Sequence, residues 1–153
     1  MEAKVARLFL CGFLVTLRDM AELADFVHRG AAKITPQIAR GIYKKLPILK
    51  LGFAQIEAPK FPHLAGQLQF LANLIEDFLD GKADELPYVT VAGACYAIIY
   101  AQHEWDLIPD SVPEVGMADD SGVVRVVLIE NERVLAKYAE KTGTNWRAIS
   151  VNP

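Results

Sequence analysis

The chain has 153 residues, of which 52% are apolar and 23% charged, with a formal net charge of −3. That composition suits one folded domain with a sizeable core and excludes a disordered polypeptide. No uncharged apolar run reaches the roughly 20 residues that span a bilayer as a helix, so the oily segments are expected to be packed rather than membrane-crossing.

The N-terminal "MEAKVARLFLCGFLVTLRDM" has the superficial look of a secretory signal, but no small-x-small cleavage pattern follows its short apolar run. An amphipathic helix from about Ala3 to His28 is predicted instead. Leu8, Cys11, Leu14 or Val15, Leu23, Phe26 and Val27 recur at helical spacing, and Gly30 stands where a C-terminal cap belongs. A second helix starts at "TPQIAR": Thr35 is a capping residue, and Pro36 suits the first position, where its missing N–H costs nothing. Ile38, Ile42, Leu46 and Leu49 continue one face, and Pro47 is expected to kink or end the helix. After the break "EAPKFPH", a third helix carries the stripe Leu64, Leu68, Leu71, Ile75, Phe78 and Leu79, with Gly81 to terminate it. A fourth, from about Pro87, is apolar on nearly every side and belongs at the centre of a bundle. Tyr88, Tyr96 and Tyr100 on it read as core aromatics with one wet end. The fifth reads as one helix up to Gly143. Val124, Val127, Leu128, Val134, Leu135 and Tyr138 keep the helical period, although "VVRVVLI" is also β-branched enough for a strand. The expected fold is therefore an all-α bundle of about five helices in a single domain over residues 1–143. Residues 144–153, with Trp146, form a tail or short packing arm.

Between the fourth and fifth helices lies "WDLIPDSVPEVGMADD". Pro109 and Pro113 push their preceding residues out of helical geometry, and Gly116 permits a turn. Leu107, Ile108, Val112 and Val115 would clamp this acidic corner to the core. Two readings of its carboxylates stand. In the first, Asp106 and Asp110 close turns, and Asp119 or Asp120 caps the next helix. In the second, Asp106, Asp110, Asp119 and Asp120 hold a hard cation, Mg²⁺, Mn²⁺ or Ca²⁺, because they offer only oxygen ligands. His103 and Glu104 would then border a metal-dependent, phosphoester hydrolase-like site.

The pattern Asp106, Leu107, Ile108, Pro109, Asp110, Pro113, Gly116, Asp119, Asp120, set between an oily aromatic helix and a valine-rich one, resembles the signature of the YkvA-like bacterial domain family. The resemblance covers about Val89 to Leu128. It departs at "QHEW", where the family usually has a Ser-Pro-like step. It implies a small helical domain, often accompanied by membrane-associated segments, and it supplies no activity.

Other chemistry is sparse. Cys11 and Cys95 lie far apart in apolar surroundings, as expected of reduced, buried thiols in a cytoplasmic protein. His28, His63 and His103 are dispersed, and the glycines form no phosphate loop. Charge is uneven: residues 29–60 hold seven basic side chains and one acidic, and residues 76–120 hold eleven acidic and one basic. The two stretches are expected to compensate each other, or else to leave a basic face for anionic lipid. Nucleic acid is the least supported partner, because no nucleic-acid motif and no basic–aromatic interleaving occur. A helical interaction module, oligomerising or attached peripherally to a membrane surface, is the leading functional expectation. The metal-dependent enzyme is its alternative.

Overall fold

The computed structural model describes residues 17–56, 62–107 and 113–150, with side chains given for 21–56, 62–102 and 121–150. Seven helices occur among them, and no strand: α1 (Leu17–Ala31), α2 (Pro36–Ala54), α3 (Leu64–Leu79), α4 (Tyr88–Leu107), α5 (Pro113–Glu130), α6 (Glu132–Thr142) and α7 (Trp146–Ile149). The all-α bundle expected from the apolar periodicity is what forms, with two more helices than the sequence suggests.

The local rules hold at several ends. Thr35 accepts a hydrogen bond from the Ile38 N–H (3.2 Å), and Pro36 opens α2. Helices α3 and α6 stop at Gly81 (φ 78°) and Gly143 (φ 73°). At the first, Lys82 N–H reaches Asp77 O (2.8 Å) and Gly81 N–H reaches Phe78 O (3.2 Å), which satisfies carbonyls the helix end leaves over.

Helix α4 sits at the centre. It packs against α1, α2, α3 and α5, and Val91, Ala94, Cys95, Ala97 and Ile98 are essentially sealed from solvent. Its small residues let neighbours approach closely, as a helix apolar on all sides requires. On α3, Leu64, Leu68, Leu71, Leu74 and Ile75 are fully buried, each contributing about 1.5–3 kcal/mol relative to exposure. Burial pushes the Cys95 thiol up to about 12, so almost no thiolate exists near neutrality. In a Cys11→Ser background, Cys95 is therefore expected to ignore a thiol-specific disulfide reagent at about pH 8 until denaturant unfolds the chain. Rapid labelling of the native protein would contradict that burial.

The structure corrects five expectations. Gly30 does not cap α1, which runs on to Ala31. A Cβ at Gly30 would lie 2.1 Å from the Tyr96 ring, so this glycine is a close-approach site between α1 and α4. Pro47 does not end α2, which continues to Ala54. Pro47 lies on the exposed face, where water can satisfy the carbonyl its ring leaves without a donor. Ile38 leaves the predicted stripe and is 41% exposed. Helix α5 begins at Pro113, so Gly116 lies within it, and Asp119 and Asp120 lie about two turns inside rather than at its cap. Finally, the predicted last helix divides at Asn131 (φ −115°, ψ 21°).

The Asn131 break has a chemical cause. Its Nδ2 donates to Val127 O (2.9 Å), and its Oδ1 accepts from Thr90 Oγ1 (2.8 Å). Thr90 is 1% exposed and would otherwise bury an unpaired hydroxyl. Asn131→Ala is expected to cost about 1–3 kcal/mol. Adding Thr90→Val should recover part of that loss in a thermal melt, because neither partner is then left unsatisfied. An additive loss in the double variant would exclude this pairing as the cause.

Residues 145–149 act as the packing arm. Trp146 packs tilted against Phe70 (centroids 5.9 Å apart), and Gln67 Nε2 donates to Ile149 O (3.0 Å).

Candidate functional site

Most of the acidic corner lies outside the described residues. These omit residues 108–112, with Asp110, and the side chains of Asp106, Asp119 and Asp120. The backbone places Asp106 in the last turn of α4 and Asp119 and Asp120 within α5. Among the described residues, no group of three or more His, Cys, Asp or Glu gathers in a way that could hold a metal.

Two other surfaces stand out, and α2 carries the first. Its buried face is Ala39, Ile42, Leu46, Leu49 and Phe53. At 3.6 residues per turn, the opposite face is Arg40, Lys44, Ile48 and Leu51, spaced i, i+4, i+8, i+11. Ile48 is 76% and Leu51 68% exposed. Arg40, Lys44 and Lys45 are exposed and form no ion pair among the described residues. Two bulky aliphatic side chains thus stand in water on the face that carries Arg40 and Lys44, with Lys45 at its margin, none of the three cations in an ion pair among the described residues.

Among the described residues, the acidic side chains of residues 76–85 do not pair with them, and four of the five have other partners. Glu76 pairs with Lys50, at the edge of α2, and Gln69 Nε2 donates to Lys50 O (2.7 Å). Asp80 accepts from Tyr43 OH (2.5 Å), and that bond raises the Tyr43 pKa. Asp77 accepts from Tyr138 OH (2.6 Å). Burial and then this bond push Tyr138 up, so its phenol stays protonated. Lys141 binds Glu85 (2.6 Å) and holds its carboxyl below the usual range. Among the described residues, the expected mutual compensation is therefore partial: it reaches Lys50 but not the outer face of α2.

The second surface is a groove of about 460 Å³ between α1, α4 and α5. Val27, Ala92, Gly93, Val126 and Val127 line it, with Tyr88 and Val89 also on its wall; Val89 is 69% exposed. His28 and Glu130 close one side at 3.1 Å. Tyr88 OH donates to Ile34 O (2.7 Å), which joins α4 to the loop after α1. Tyr96 and Tyr100 pack edge-on or tilted with Phe26 and each other, as aromatics with partial exposure do.

Sequence reasoning identifies the basic stretch but misses Ile48 and Leu51, because it expects Pro47 to kink or end the helix. A helical wheel drawn through Pro47 places both residues opposite the core stripe.

No curated protein and no solved structure matches the chain. A family model described as a protein of unknown function (DUF1232) matches residues 90–125, most of α4 and most of α5. That is the region on which the YkvA-like resemblance rests, and what the match establishes for it is a domain of unknown function within an all-helical fold.

Proposed function

We propose that this protein is a non-catalytic helical module that docks on anionic membrane surfaces through the outer face of α2. The observation that carries this reading is the pairing, on one face of one helix, of exposed Ile48 and Leu51 with Arg40 and Lys44, which form no ion pair among the described residues. A helix lying in the lipid interface needs an apolar strip to enter the headgroup–acyl boundary and cations to meet anionic lipid. The rest of the bundle supplies rigidity, because α2 is held against α3 by its buried face and by the Lys50–Glu76 and Tyr43–Asp80 contacts. No helix among the described residues is long and apolar enough to cross a membrane; the proposed mode is lying on the surface.

The test is co-sedimentation with vesicles of phosphatidylglycerol and phosphatidylcholine. Pelleting with anionic vesicles, weakened at about 1 M salt, where the Debye length falls to about 3 Å, is the expected result. Equal binding to purely zwitterionic vesicles, or none to either, would defeat the proposal.

A second reading is self-association through the groove, favoured by Val89 standing exposed on its wall. In a two-fold dimer each Val89 would enter the partner's groove. Light scattering should then report a dimer that Val89→Glu converts to a monomer. A monomeric wild-type chain at micromolar concentration leaves this reading without support.

A further inference from the structure

The outer face of α2 carries a glycine that the packing of the bundle does not explain. Gly41 is exposed in the interior of the helix, where glycine is less favourable than alanine. A Cβ built on it meets no atom within 4 Å, so no neighbour demands a close approach. Its φ is not positive, so no turn or cap demands it either.

Its surroundings on the helix are basic. Lys44 and Lys45 lie one turn toward the C-terminus and flank it, Gln37 lies one turn back, and Arg40 stands beside it. Helical side chains lean toward the N-terminus, so both lysine stems lean over the turn that holds Gly41. None of the three cations forms an ion pair among the described residues. Arg40 and Lys44, at i and i+4, repel each other, and an anion set among the three would relieve that repulsion. Openness alone does not make such a seat. Gly66 on α3 is equally open, yet Pro62, His63, Gln69 and Phe70, one turn to either side of it, include no lysine or arginine. Beyond Lys45 the face of α2 turns apolar at Ile48 and Leu51, in the order headgroup then acyl chain.

We infer, resting on the membrane-docking reading above, that α2 selects lipids whose headgroup is a phosphate monoester. The phosphate sits over Gly41 among Lys44, Lys45 and Arg40, while Ile48 and Leu51 meet the acyl boundary. A monoester presents three unesterified oxygens and gains a second negative charge near neutrality. A phosphodiester headgroup presents fewer oxygens and a single charge. Three clustered cations therefore make more charge-assisted hydrogen bonds to the monoester. Glycine at 41 lets the phosphate approach the helix where any side chain would stand in its place.

The test compares phosphatidylcholine vesicles containing phosphatidic acid with vesicles containing phosphatidylglycerol, adjusted to the same zeta potential so that surface charge alone gives equal binding. Co-sedimentation should show at least about fivefold tighter binding to phosphatidic acid. Gly41→Gln changes no charge but fills the seat, and should bring the two affinities to within about twofold. Gly66→Gln puts the same side chain at an open glycine without cations around it, and should keep the preference. Both variants should fold, because neither new Cβ meets an atom within 4 Å. Equal affinities of the wild-type chain at matched potential, a preference that survives Gly41→Gln, or its loss in Gly66→Gln would overturn the inference and leave docking itself standing. Binding to neither vesicle would defeat both.

Discussion

Replacing Ile48 and Leu51 together by aspartate is expected to weaken binding to anionic vesicles by at least about 100-fold while leaving the fold intact. The fold should survive because both side chains are mostly in water already, and surface substitutions of that kind usually change stability by less than about 0.5 kcal/mol. Their insertion into the acyl boundary would gain about 1.5–3 kcal/mol each, so removing both forfeits about 3 kcal/mol or more. Each 1.4 kcal/mol is a factor of ten. Two new carboxylates beside an anionic surface add repulsion to that loss. Charge reversal at Arg40, Lys44 and Lys45 acts differently: each cation is worth about 1 kcal/mol near the surface, and that part alone is screened by salt. Vesicle binding that is insensitive to the aspartate pair but abolished by salt would mean that α2 is only electrostatically attracted and does not insert.

Gly30→Ala is expected to be the most damaging single-methyl change in α1. On an exposed helix, alanine would gain about 1 kcal/mol over glycine. Here the new Cβ would meet Tyr96 Cε1 at 2.1 Å and Cζ at 2.2 Å, well inside any real contact. Tyr96 cannot yield freely, because its ring packs against Phe26 at 6.1 Å and Tyr100 at 6.2 Å. Overpacking of this kind costs about 1–3 kcal/mol, so the propensity gain is outweighed over most of that range. Tyr96→Leu in the same chain should relieve much of the loss, since the two sites share one contact. A thermal melt that shows Gly30→Ala neutral or stabilising would mean that α1 and α4 are not packed this closely.

Much of the fold is legible in the sequence, for physical reasons that also explain what is not. The stripe on α3 and the oily circumference of α4 follow from burial, which depends on side-chain chemistry at a fixed period. Gly81 and Gly143 are legible because a positive φ at a helix end selects glycine locally. Gly30 is not, because its reason lies across the bundle in Tyr96, which no local rule reveals. The break at Asn131 is hidden in the same way, since it depends on Thr90 from another helix. Pro113 is read from the sequence only as a bend, not as the start of a helix. The rule that places Pro36 at the start of α2 applies equally there, and it puts Asp119 and Asp120 inside α5 rather than at its cap. The basic stretch is visible as a charge count. That the described acidic side chains leave the outer face of α2 unpaired emerges only from the partners that Glu76, Asp77, Asp80 and Glu85 find elsewhere.

The most direct measurement is the depth of a nitroxide at position 48, read by electron paramagnetic resonance on anionic vesicles in a Cys11→Ser background, where buried Cys95 does not take the label. Docking through α2 predicts that the label at 48 is reached by oxygen and shielded from a water-soluble nickel complex, while a label at 89 stays accessible to nickel. Bound protein with the label at 48 in water, or with 89 buried and 48 exposed, would contradict it.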